Sequence, residues 1–144
     1  MIPETMTAVL LTGYGGFDKL DCRDDVPTPK PGPVEVLIRV AAAGVNNTDI
    51  NTRIGWYSKA VTADTETGGA EGFDKMDNTD ASWSGVPLNF PRIQGADVCG
   101  HVVAVGDDVN PSRIGERVIV RNMLRSYVDS VSYTHLTLPT ILLV

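Results

Sequence analysis

Hydrophobic residues in this chain come in short bursts bounded by turn residues, with no long stripes. Met6-Thr-Ala-Val-Leu-Leu11 is an apolar run stopped by Gly13-Tyr-Gly-Gly16, which reads as a strand and a turn. Asp18 to Val26 alternates weakly and leads into Pro27-Thr-Pro-Lys-Pro-Gly-Pro33. Prolines there fix φ and remove amide donors, so an extended connector is expected. Glu35-Val-Leu-Ile-Arg-Val-Ala41 places β-branched residues at a period near two and predicts a strand. Gly44 permits a bend, and Asn46 or Asn47 is placed to cap a short helix through Asp49 to Arg53. Residues 58–88 show no sustained periodicity and are rich in Gly, Asp, Thr and Ser, which predicts a long loop. Val98 to Val105 reads as a second strong strand ended by Gly106-Asp-Asp. Arg113-Ile-Gly-Glu-Arg117 is a turn entering a strand through Val120. Short strands, Gly/Pro turns and one short helix predict a mainly β fold, a small antiparallel barrel.

Composition narrows this picture. With 144 residues, 42% of them hydrophobic, the chain can bury one modest core. Its net charge of −6 is concentrated: residues 61–85 hold Asp64, Glu66, Glu71, Asp74, Asp77 and Asp80 against Lys75 alone. No basic stripe is present to track a phosphate backbone, which disfavours nucleic-acid binding. Cys22, Cys99, His101 and His135 are too few for a disulfide framework or a Cys-rich zinc module. No apolar run approaches the length of a membrane span, and Met1-Ile-Pro-Glu-Thr lacks the pattern of a secretory signal. A cytoplasmic location is expected, where the Asn46-Asn47-Thr48 sequon has no meaning.

The last residues differ from the rest, since 131–144 carry no charge. Taken alone, Ile141 to Val144 reads as a hydrophobic strand or a docking tail. The stretch Val131-Ser-Tyr-Thr-His-Leu-Thr-Leu-Pro-Thr140 is similar to a translated sequencing adapter, a transposase mosaic end with its flank. On that reading the domain occupies 1–130, residues 131–144 are an artefact, and the gene product is longer.

Generic catalytic motifs are nearly absent. Gly13-x-Gly15-Gly16 is not a dinucleotide fingerprint, and Asp74, Asp77 and Asp80 have the wrong spacing for a calcium loop. His101 reads as a packed strand residue, and Cys99 as a small core hydrophobe. Asp49 and Arg53, four apart, are expected to pair along the short helix.

Taken in order, several segments resemble the N-terminal, GroES-like catalytic domain of medium-chain dehydrogenases/reductases. They are Ala8-Val-Leu-Leu-Thr-Gly-Tyr-Gly-Gly16, Pro31-Gly-Pro-Val-Glu-Val-Leu-Ile-Arg-Val40, Ala43-Gly-Val-Asn-Asn-Thr-Asp49, Arg53-Ile-Gly55, Gly95-Ala-Asp-Val-Cys-Gly100, Val105-Gly106 and Ile114-Gly-Glu-Arg-Val118. The resemblance implies a GroES-like, partly open antiparallel β-barrel with one short helix and a long acidic loop. It also implies a two-domain oxidoreductase, in which a separate Rossmann domain binds most of the NADPH or NADH. The resemblance leaves room for a homodimer of the whole protein.

The family divides by metal. Zinc alcohol dehydrogenases have Cys where this chain has Asn46, and Gly-His-Glu where it has Gly95-Ala-Asp97. An amide and a methyl group do not replace those ligands, and Asp97 alone does not hold a catalytic zinc. The chain looks instead like the zinc-independent, quinone-oxidoreductase-like branch, through Gly44-Val45-Asn46 and the aromatic Tyr57 after Arg-x-Gly. In that branch the matching Asn and Tyr lie beside the nicotinamide and the reducible substrate. Both can donate a hydrogen bond to a carbonyl oxygen gaining charge. Thr48 matches a proton-relay hydroxyl of the zinc enzymes. Each has a structural alternative: Asn46 as helix cap, Tyr57 as core, Thr48 as a first-turn residue.

The 58–88 insert begins immediately after Tyr57 and is expected over the substrate cleft. It is either a lid whose Phe73 and Trp83 line a pocket or a disordered surface loop. The implied function is reduction of quinones, enones or related small carbonyls. Alternatives are an alcohol or amino-alcohol dehydrogenase of the same superfamily and a free-standing β-barrel that binds without catalysis.

Overall fold

Five strands and two helices follow one another in the computed structural model, which describes residues 1–120. The expected adapter-like tail, 131–144, lies outside the described residues. The order is β1 (Thr5–Leu11), β2 (Leu20–Pro27), β3 (Val36–Gly44), α1 (Asn47–Ile54), α2 (Thr65–Gly68), β4 (Asp97–Val105) and β5 (Arg117–Ile119). Strands β1 and β2 make a two-stranded sheet, and β3, β4 and β5 make a three-stranded sheet in that order. The described residues are thus mainly β with open sheets, as a GroES-like fragment should be; no closed barrel forms among them.

The chain divides into two compact units. The first gathers Met1–Ala8, Arg23–Gly44 and the described residues from Gly95 onward. Its centre is the antiparallel β3–β4 ladder, which runs from Val36 opposite Val105 to Gly44 opposite Asp97. Irregularities at Leu37/Ile38 and Val40/Ala42 re-phase the ladder twice. Leu37, Val98 and Val102 are buried, as are Met6 and Ala8 of β1. Period-two alternation explains this: Val98, Gly100 and Val102 share the covered face of β4. Gly100 is required there, because a Cβ would collide with the Arg39 carbonyl oxygen across the ladder.

That phase corrects one expectation. Cys99 lies on the other, half-covered face with His101 rather than in the core. His101 packs in register with Arg39 and Arg117 on its two neighbouring strands.

The second unit comprises Val9–Cys22 and Val45–Gln94. Leu11, Tyr14, Ile54 and Ala81 are its buried apolar residues. The Tyr14 and Phe90 rings meet edge to face at 5.0 Å. Residue Leu11 and Arg92 exchange two backbone hydrogen bonds of 2.8 and 3.0 Å.

Candidate active site

The site is built from α1 outward. Asn46 has extended backbone angles and stands as the N-cap, with its N–H donated to the Asp49 carboxylate at 2.8 Å. An acid in the first turn and a base in the last suit the helix dipole. Gly55 ends the helix with φ of 75°, a left-handed cap that favours glycine. A Cβ at this position would also run into the Met76 sulfur. The reversal lets the Trp56 N–H donate to the Asn51 carbonyl at 2.9 Å and turns Tyr57 back along the helix.

Arg53 does not pair with Asp49. Its guanidinium is buried and donates to three main-chain carbonyls: Gly15 at 2.6 Å, Gly69 at 3.0 Å and Ala70 at 3.2 Å. The Phe17 ring lies 4.5 Å from its central carbon. Burial pulls the Arg53 pKa below its ordinary value, and the charges of Asp18 and Glu71 oppose that shift. The expected i,i+4 ion pair therefore gives way to a clamp. Helix α1, the Gly13–Gly16 turn and the insert are joined through one side chain.

The insert is a folded segment of this unit. Asp64 caps α2 by accepting from the Thr67 N–H at 2.9 Å, so the expected single helix gains a second, one-turn companion. The Ser58 hydroxyl oxygen accepts from the Asp77 N–H at 2.9 Å and the Ala60 N–H at 3.3 Å. The Asp80 carboxylate accepts from the Lys59 N–H at 3.2 Å. The Phe73 N–H donates to the Ile54 carbonyl at 3.1 Å, and its ring packs close to Gly68.

Trp83 does reach Tyr57. The two rings meet edge on at 5.4 Å, and Trp56 meets Tyr57 from another side at 5.6 Å. Tyr57 is half-buried at the middle of this series. Burial raises its pKa, the Asn51 side-chain amide lowers it and the Asp49 charge raises it, with the net shift upward. The phenol therefore stays protonated, a hydrogen-bond donor, at neutral pH.

Sequence reasoning passed over Asn51 and Gln94. The Gln94 amide donates to the Asp49 carbonyl at 3.1 Å. Asn51 Oδ1 and Gln94 Oε1 are buried and have no hydrogen-bond partner among the described residues. Such orphaned acceptors each cost about 1–3 kcal/mol until a donor reaches them. No signal short of the folded helix marks them, because neither belongs to a spaced motif. Of the expected residues, Asn46 and Thr48 stand exposed at the start of α1, and Tyr57 lies past its other end. Asp97 sits at the edge of the β3–β4 ladder opposite Gly44. Among the described residues no three His, Cys, Asp or Glu side chains gather as metal ligands.

Comparison with known proteins agrees with this architecture. The alcohol dehydrogenase GroES-like domain matches residues 32–136, well over half of the chain. The chain is 33% identical over 129 residues to the synaptic vesicle membrane protein VAT-1 homolog of Rattus norvegicus, covering 88% of this chain and 25% of that protein. It is 30% identical over 121 residues to the quinone oxidoreductase of Homo sapiens, covering 84% of this chain and 29% of that protein. Among solved structures, the "putative alcohol dehydrogenase" of Sinorhizobium meliloti 1021 is 46% identical, with a TM-score of 0.65 over 85% of this chain and 31% of that one. The chain thus spans well under two thirds of the length of the proteins it matches. It belongs to the alcohol dehydrogenase GroES-like domain family of the medium-chain dehydrogenases/reductases.

Proposed function

We propose that this chain forms the substrate-side domain of a NAD(P)H-dependent reductase of quinones, enones or related carbonyls that works without zinc. The observation that carries this reading is Tyr57: a protonated phenol in edge-to-face contact with two indoles and in contact with the Asn51 side-chain amide. The buried Asn51 Oδ1, without a hydrogen-bond partner among the described residues, suits an N–H or O–H group of a bound cofactor or substrate. When bound, NADPH or NADH supplies a hydride. A quinone that gained this hydride and one solvent proton would be a hydroquinone.

The chain's own residues stabilise the oxygen on which charge develops. Tyr57 and Asn46 donate hydrogen bonds to it, taking over part of the work that a metal does elsewhere. Thr48, exposed on the first turn with Asn46, is the hydroxyl that passes in the solvent proton. The partners are the small carbonyl substrate and the cofactor, and the proposed compartment is the cytoplasm. No helix of the described residues is long and apolar enough to cross a membrane.

In the protein that joins this chain to its cofactor domain, Tyr57→Phe and Asn46→Ala should each lower turnover about 10²–10³-fold. Cofactor affinity should hold, and chelation should change nothing. One tightly bound zinc per chain, with activity lost on chelation, overturns the reading. The identity to the Sinorhizobium protein favours a second reading, alcohol oxidation. Steady oxidation of simple alcohols by the same protein, with no reduction of quinones or enones, would establish it instead.

A further inference from the structure

The insert carries a feature that the hydride chemistry does not require. Residues 82–86 form a turn tied by one side chain: the Ser82 hydroxyl donates to the Val86 carbonyl at 2.5 Å and accepts from the Val86 N–H at 3.2 Å. The Gly85 N–H closes the same turn on the Ser82 carbonyl at 2.9 Å. Ala81 is wholly buried and Ser82 is 5% exposed, so the turn stands on a fixed base. Trp83, at its tip, is 63% exposed while its ring and that of Tyr57 meet at right angles. Trp56 completes the series, its indole N–H donating to the Ala63 carbonyl at 3.1 Å. A large indole held at a tied tip costs little entropy to use and offers a π-face to a ligand next to the phenol.

We propose that Trp83 is a specificity-determining residue, an aromatic wall that selects planar conjugated ring substrates over small aliphatic carbonyls at the Tyr57 site. This rests on the assignment of Tyr57 to the substrate side. Ring-on-ring contact rewards a flat bicyclic substrate and gives a single small enone little to stack upon. Truncation at a mostly exposed position leaves the buried base of the turn in place.

The test compares naphthoquinone with cyclohexenone in the complete protein and in its Trp83→Ala and Trp83→Phe variants. Trp83→Ala should raise KM for naphthoquinone about three- to tenfold and change the KM for cyclohexenone far less, any loss of kcat through the Tyr57 contact being the same for both substrates. Trp83→Phe should recover most of the loss. Equal changes of KM for both substrates, or no change of KM for either, overturn the inference while leaving the reductase reading intact. Naphthoquinone affinity measured by equilibrium dialysis decides the case in which no turnover is seen with either substrate. That outcome defeats the reductase reading. Weaker binding by Trp83→Ala alone still supports the wall, and equal binding by all three proteins overturns it.

Discussion

The β3–β4–β5 sheet and the segment around α1 and the insert are held together by different forces. In the sheet, order comes from a continuous backbone ladder and from apolar side chains, Leu37, Val98 and Val102, that turn away from water. Around α1, a few polar side chains reach main-chain groups distant in sequence: Arg53 to Gly15, Gly69 and Ala70, Ser58 to Asp77, Asp80 to Lys59. The first arrangement spreads its stability over many small contributions. The second concentrates it in single residues, of which Arg53 serves three backbone groups and Ser58 two. Irregular backbone is thereby held in a fixed shape without a sheet or long helix.

The largest effect should come from the core of the sheet. Leu37→Ala removes a side chain that is 1% exposed and should cost about 2–5 kcal/mol. Denaturant unfolding of the chain would show the loss, together with faster amide exchange throughout β3 and β4. A loss below about 0.5 kcal/mol would mean that the ladder, and not apolar burial, carries the sheet.

Arg53→Lys should come next, at about 2 kcal/mol, since one ammonium cannot span the three carbonyls that the guanidinium fork reaches. Here the pattern of exchange matters more than the total. Amides from Gly69 to Asp77 should lose protection while those of β3 and β4 keep theirs. Equal loss in both regions would show that they unfold as one and would break the contrast drawn above.

The smallest effect is set by pH. Hydrogen bonds from Thr67 hold the Asp64 pKa below its ordinary value, and hydrogen bonds from Thr79 do the same for Asp77. Their contribution is fully present above the ordinary carboxylate pKa, roughly 4, and is lost as pH falls through the lowered folded-state values. Acid should therefore loosen the insert before the sheet, seen as a change in tryptophan fluorescence ahead of any loss of strand signal. Simultaneous loss of both signals would count against it.

How much of this could be read in advance follows from the same contrast. Strands β3 and β4 were legible because period-two apolar runs leave a mark on sequence. The phase of β4 was not, since Val98 and Cys99 are both suited to burial and only the register with β3 and β5 decides between them. The helix and its Asn46 cap were legible from residue type. The fate of Arg53 was not: its spacing from Asp49 fits an ion pair, whereas carbonyl acceptors are present at every residue and cannot be located by composition. For the candidate site, Asn46, Thr48 and Tyr57 came from the family resemblance. Asn51, Gln94 and the contact of Trp83 with Tyr57 emerge only once Gly55 reverses the chain.

The Arg53 clamp also bears on how such a chain can diverge. A guanidinium that reads the carbonyls of Gly69 and Ala70 from sixteen and seventeen residues away fixes the number of residues between them. One residue added or lost in that interval would rotate both carbonyls out of reach and leave the buried cation with the Gly15 carbonyl alone. Changes of length should be borne more easily beyond Ala70, in the part of the insert that runs on to Trp83.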